Sequence, residues 1–235
     1  MPGPSQPNGS GMIGQTLRRL FYQASIGDQS YRFMFKAPPP GEAVSIDCET
    51  TGLDIAKDDI ITIAAVRIKG DRILTSEAFE VVVRPEAKIA PDSMKIHHLR
   101  EADVEQEKPI RKILRDFLYF IGSRPLVGYY LEFDTKMLDK HILPFIQIGL
   151  PNKRIEVSEL YYERKYGDAP PGTAIDLRFT SILEDLGLPN LGQHDALNDA
   201  LMTAEMYMIL RDMRIRGVRI PRERARPMHD MAMGA

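Results

Sequence analysis

The sequence predicts an α/β fold in which one mixed sheet is covered by helices. Two observations carry this. Three strand-like runs come first, within residues 43–85, and two of them are joined by the two-residue turn Gly70-Asp71. After residue 109 the apolar spacing changes to that of helices, interrupted by a further short apolar strand. No internal repeat or low-complexity tract breaks this pattern.

In chain order, residues 1–11 are mainly Pro, Gly, Ser and Asn and read as a flexible leader. Ile13, Leu17, Leu20, Phe21 and Ala24 recur at helical spacing and predict a short amphipathic helix. The segment YRFMFK (31–36) reads as a strand or an extended arm, and APPPGEA (37–43) breaks regular structure. This N-terminal piece is too small to hold a core, so it is expected to pack on the main domain or on a partner. AVSID (43–47) is a buried strand, and 60–69 and 72–85 form the hairpin. Residues 109–122 are helical, with Ile110, Ile113, Leu114, Phe117 and Ile121 on one face. PLVGY (125–129) is a short strand, 132–150 a helix that Pro144 can kink, and 174–188 a helix stopped at Gly187. Residues 195–213 form the longest helix. The expected organisation is a leader with helix and arm over 1–42, a main domain over 43–214, and a basic, flexible tail over 215–235.

Composition narrows the class. Apolar content of 43% and charged content of 27% suit a globular protein, and a net charge of -2 gives no bulk sign of a nucleic-acid partner. Cys48 is the only cysteine, so an internal disulfide is impossible and a cysteine-based zinc site is disfavoured. A reducing, cytoplasmic setting fits. No apolar run approaches the ~20 residues of a membrane span, and the N-terminus lacks the basic start and apolar core of a signal peptide.

The chemistry-bearing residues begin in SIDCETTGLD (45–54). Asp47 and Glu49 are two apart at a strand end, so their side chains share a face, with Cys48 on the opposite, core side. Two acids so placed repel unless a cation joins them. Oxygen ligands favour Mg²⁺ or Mn²⁺ over zinc. On its own, such a pair is equally a pair of solvated acids at a loop entrance. Asp134 lies where a short strand meets a helix, which suits a site residue or a helix N-cap. His194 and Asp199 would stand about 140° apart on an ideal helix. His194 therefore belongs at the helix entry, where the chain can turn it toward Asp199.

Taken together, DCETTGLD (47–54), VGYYLEFD (127–134) and HDALNDA (194–200) resemble the three ordered motifs of the DEDDh, or DnaQ-like, 3′–5′ exonucleases. The resemblance spans roughly residues 43–212. It implies an RNase H-like fold, a five-stranded mixed sheet flanked by helices with the site at one sheet edge. Carried across position by position, it implies that Asp47, Glu49, Asp134 and Asp199 hold two divalent ions, Mg²⁺ or Mn²⁺, and that His194 is the general base. Asp195 is a neighbour of the motif acid, while Asp54, Asp58 and Asp59 match loop positions. Thr50, Thr51, Gly52 and Leu53 form the turn that would meet the terminal nucleotide, and His97 matches a position near the substrate. Where the family often has His-Asn, this chain has Tyr129-Tyr130. Tyr130 is thereby a candidate to stack on a base, although strand aromatics also serve packing.

The implied activity is release of 5′-mononucleotides from nucleic acid with a free 3′ end, more as single-stranded or frayed DNA than as RNA. A DNA polymerase or another protein is an expected partner, reached through the N-terminal helix. The arginines from Arg211 to Arg226 fit either a helix end with a solvated tail or phosphate contacts.

Overall fold

The computed structural model describes residues 20–222. Residues 20–25 are helical (α1), so the part of the expected N-terminal helix before Leu20 lies outside the described residues. A five-stranded sheet follows, built from β1 (Glu42–Thr50), β2 (Ile60–Lys69), β3 (Arg72–Val82), β4 (Leu126–Gly128) and β5 (Arg154–Glu156). Its order is β3-β2-β1-β4-β5. β1, β2 and β3 pair antiparallel, and β4 and β5 join parallel to β1. The expected turn is present. Gly70 adopts φ 60° and donates its N–H to the Gly41 carbonyl at 2.8 Å.

The helices are α2 (Pro91–His97), α3 (Glu101–Val104), α4 (Leu114–Ile121), α5 (Leu131–Ile146), α6 (Val157–Tyr166), α7 (Phe179–Leu186) and α8 (Ala196–Arg216). They cover both faces of the sheet. On one face Val44, Ile46, Cys48 and Ile63 pack with Phe117, Leu118, Met137 and Leu138 from α4 and α5. On the other, α8 presents Ala196, Ala200 and Ala204, all buried, at four-residue intervals. The small side chains of Ala196 and Ala200 bring the helix close to Ala64 and Val66 of β2. Burial on both faces is why residues 60–68 read as a nearly unbroken apolar run.

Three expectations are corrected. YRFMFK is neither strand nor arm but part of a 3-10 helix, Gln29–Phe35, whose first turn is capped by the Asp28 carboxylate accepting from Ser30 N–H at 2.9 Å. Three-residue spacing puts Tyr31 and Met34 on one side of such a turn. Both are buried in the main core, and Phe33 stacks on Tyr119 at 4.7 Å. The 109–122 helix is broken at Ile113, with a 3-10 turn before α4. The tail expected from residue 215 is docked as far as Arg222. Ile220 is buried, and Arg222 pairs with Asp168 at 2.6 Å. Residues 223–235 lie outside the described residues.

Candidate active site

β1 outruns its parallel neighbour. β4 pairs with it only at Val44 and Ser45 and ends at Gly128, so Asp47 to Thr50 project beyond it. The chain leaves β4 through Tyr129 and Tyr130, and Tyr130 takes a left-handed φ of 60° to enter α5. The Leu131 N–H at the start of α5 donates to Glu156 Oε2 at 2.9 Å, which fixes the helix against β5. This places Asp134, in the first helical turn, beside the projecting end of β1. Asp134 is buried, and it is not the N-cap, a position taken by Tyr130.

α8 supplies the third side. Asp195 caps it, accepting from Asn198 N–H at 2.9 Å. His194 precedes the cap at φ 67° with its side chain exposed, and its backbone N–H donates to Asp199 Oδ2 at 3.0 Å. The expected turn at the helix entry is therefore present, made through the histidine backbone. Asp47, Glu49 and Asp199 each offer a carboxylate oxygen within 4.8 Å of the others. Asp134 stands outside that trio but close behind it, and among neighbouring charges it acts most strongly on Asp47.

The electrostatics are those of acids brought together without a counter-charge. Burial, then Asp134, Asp199 and Glu49, push the Asp47 carboxyl well above the usual range. Burial followed by Asp199 and Asp195 raises Glu49 to about 7. Burial also raises Asp134, against the backbone N–H groups of Cys48 and Asp134 itself, and raises Asp199 against the His194 N–H. Asp199 Oδ1 is buried with no hydrogen-bond partner. An oxygen-only donor set with an unpartnered buried carboxylate oxygen fits a hard divalent cation. Cys48 offers no soft ligand, since its side chain is in the core and burial pushes the thiol up.

The turn after β1 is held from within. Thr50 Oγ donates to the Gly52 carbonyl at 2.8 Å, and Thr51 Oγ donates to Asp58 Oδ1 at 3.1 Å while accepting from Asp59 N–H at 2.9 Å. Asp58 Oδ2 accepts from Asp54 N–H at 2.7 Å. Asp59 in turn meets His141 at 2.7 Å and accepts from Glu86 N–H at 2.8 Å. Thr50, Thr51 and Gly52 are buried, whereas Leu53 is 84% exposed. A Cβ on Gly52 would lie 2.4 Å from Asp58 Oδ2. Gly52→Val is therefore expected to open the turn and cost about 1–3 kcal/mol in urea unfolding. A midpoint matching that of the wild type would show that the turn does not need the close approach.

His97 is buried at the end of α2, its Nδ1 accepting from Leu99 N–H at 3.1 Å and its Nε2 unpartnered. Burial lowers its pKa, and among the lesser influences are the Thr50 carbonyl, which opposes the shift, and His194, which adds to it. That places His97 near Thr50 and His194. The two tyrosines divide. Tyr129 packs on Phe179 at 5.0 Å with its hydroxyl donating to the Leu177 carbonyl at 3.0 Å, whereas Tyr130 is 76% exposed. Sequence reasoning missed Glu156, which caps α6, anchors α5 and adds its charge to Asp134. It also set Asp58 aside as a loop residue, although Gly52 and Asp58 spaced about a tight turn were a signal for it.

A carboxylate-lined notch at the end of a mixed sheet, with a histidine at its rim, is an arrangement that can hold a divalent cation and serve phosphodiester hydrolysis. Residues 44–207 match the family described as Exonuclease, RNase_T. The chain is 32% identical over 168 residues to the DNA polymerase III subunit epsilon of Aquifex aeolicus, covering 72% of this chain and 79% of that one. It is 31% identical over 201 residues to the PolC-type DNA polymerase III of Thermotoga maritima, 83% of this chain but only 13% of that much longer protein. Among solved structures, Exonuclease X in complex with 5′ overhanging duplex DNA superposes with a TM-score of 0.57 at 25% identity, over 76% of this chain and 95% of that one. The E. coli ExoI–ssDNA complex in its zinc-bound form shares the fold, with a TM-score of 0.63 at 16% identity over 76% of this chain and 42% of that one. The chain belongs to the exonuclease family and is a nuclease. Among the described residues no helix is long and apolar enough to cross a membrane.

Proposed function

We propose that this protein is a divalent-cation-dependent 3′–5′ exonuclease that releases 5′-mononucleotides from unpaired DNA ends. The observation that carries this is the meeting of Asp47, Glu49 and Asp199 within 4.8 Å, with one Asp199 oxygen buried and unpartnered. Asp47, Glu49 and Asp199, with Asp134 behind them, would hold two ions, Mg²⁺ or Mn²⁺. Bound there, such ions supply Lewis-acid charge to the phosphate and to the attacking and leaving oxygens.

The chain's own residues do the rest. His194, exposed at the rim and tied through its backbone to Asp199, takes the proton from the attacking water. As the new P–O bond forms, the bond from phosphorus to the 3′ oxygen of the preceding nucleotide breaks, and that oxygen leaves as the new 3′ end. Leu53 offers its exposed side chain to the terminal base, on a turn that Thr50, Thr51 and Gly52 hold rigid. His97 supports that turn from behind.

The relatives named as DNA polymerase III components support DNA as the substrate and a polymerase as partner. Leu20 and Phe21 of α1, 58% and 67% exposed, offer that partner an apolar face. The reading places the protein in the cytoplasm. The test is incubation with 5′-labelled single-stranded DNA, RNA and mismatched primer ends, in Mg²⁺, Mn²⁺ or chelator. Ladders shortening from the 3′ end of DNA, and abolished by chelator, are expected. Faster shortening of RNA would reassign the substrate, and no shortening of any strand would make the chain a binding module.

A further inference from the structure

Tyr130 opens a groove that the catalytic chemistry does not use. A cleft of ≈ 620 Å³ lies beside the start of α5, walled by Ile55, Tyr130, Phe133, Lys136 and Arg154. A second cleft of ≈ 270 Å³ lies against β5 and the later part of α8, walled by Lys153, Leu160, Tyr207, Arg211 and Arg214. Arg154, Glu156 and Glu159 line both, so the two clefts meet along β5. The first also adjoins the acids, because Glu156 belongs to it and acts electrostatically on Asp134.

We infer that this groove is the path of the single strand behind the scissile end: the strand leaves the acids over Tyr130 and runs along β5 toward Lys153, Arg211 and Arg214. This rests on the exonuclease reading. Three features argue for a nucleic-acid strand as the occupant. Tyr130 is a solvent-facing aromatic in a strained left-handed conformation at the mouth, where a base can stack. Lys153 stands exposed on the wall beyond it, and Arg154, Arg211 and Arg214, which meet Asp139, the Gly70 carbonyl and Glu163, can exchange those partners for a phosphate backbone. The acids there are largely engaged within the protein. Glu132 pairs with Lys136 at 2.7 Å, and Glu156 accepts from Leu131 N–H and from Ser158. Glu159 is the exception. It is exposed at the junction of the clefts, so a base or sugar passes it more readily than a phosphate.

Opposite charge changes at two exposed positions should therefore have opposite effects. KM for the first cleavage is measured on oligo-dT of 2 to 8 nucleotides at several salt concentrations. For the wild type, KM is expected to fall with length. Lys153→Glu should raise KM for the longest oligonucleotide about tenfold, flatten the dependence on length, and reduce the salt slope by about one phosphate contact. Lys153→Arg should restore all three, and Glu159→Gln should lower KM for the longer substrates. A wild-type KM independent of length, or a Lys153→Glu enzyme with the wild-type dependence, overturns the path while the products still show an exonuclease. Absence of any shortening by the wild type overturns the exonuclease reading instead.

Discussion

Asp47→Asn is expected to lower kcat by ~10³-fold or more, a loss of about 4 kcal/mol of transition-state stabilisation, and at the same time to raise the thermal midpoint of the cation-free protein. The two effects have one cause. Asp47 is half-buried beside Asp134, Asp199 and Glu49, and the whole group is pushed toward protonation. Folded pKa values above the unfolded ones mean that the folded state binds more protons, so this cluster weakens folding as pH rises from about 4 through the folded values, Glu49 reaching about 7. An amide of the same shape removes one charge from the repulsion and one ligand from the cation site. In chelator, the midpoint of Asp47→Asn should exceed that of the wild type by more at pH 8 than at pH 5.5. Saturating Mn²⁺ should raise the wild-type midpoint strongly and that of the variant little. A variant less stable than the wild type in chelator at pH 8 would mean that the acids are relieved from within the protein, and the cation site would fall with that result.

The alternation of residues 45–49 predicts where each side chain of β1 goes, and the structure puts Asp47 and Glu49 together with Cys48 in the core. Period-two patterning survives here because one face is a core and the other a site. α8 was legible as the longest helix, and the structure shows its alanines recurring at four-residue intervals against the sheet. What stayed hidden had no period to reveal it. β5 is three residues of mixed polarity, too short for any pattern, yet it completes the sheet and carries Glu156. α6 has charged and aromatic residues all round, so nothing marked an apolar face. The 3-10 helix at Gln29–Phe35 was hidden because its aromatic-rich run scores as strand. Only contact with Tyr119 and the core decides the matter. Asp134 is the instructive case. A carboxylate six residues after a strand is an ordinary helix-start residue by sequence, and its place beside the other acids follows only from β4 stopping short of β1.

His194→Ala should separate the proton step from cation binding. The predicted loss is ~10²–10⁴-fold in kcat, the range for removing a positioned acid–base group. Folding should be little changed, for three reasons. The link from residue 194 to Asp199 is a backbone N–H, which alanine keeps. The left-handed φ of 67° already strains a residue with a Cβ, so alanine adds no new strain. The imidazole itself is solvent-exposed, so its removal opens no core cavity. The Mn²⁺-induced rise in thermal midpoint should therefore persist in His194→Ala and be lost in Asp47→Asn. Added imidazole should restore part of the rate to His194→Ala and none to Asp47→Asn, because the vacated rim is open to solvent. A rate within about threefold of the wild type would move the proton acceptor elsewhere. Loss of the Mn²⁺ response along with the rate would instead make His194 a residue that positions Asp199, acting on the cation site and not on the water.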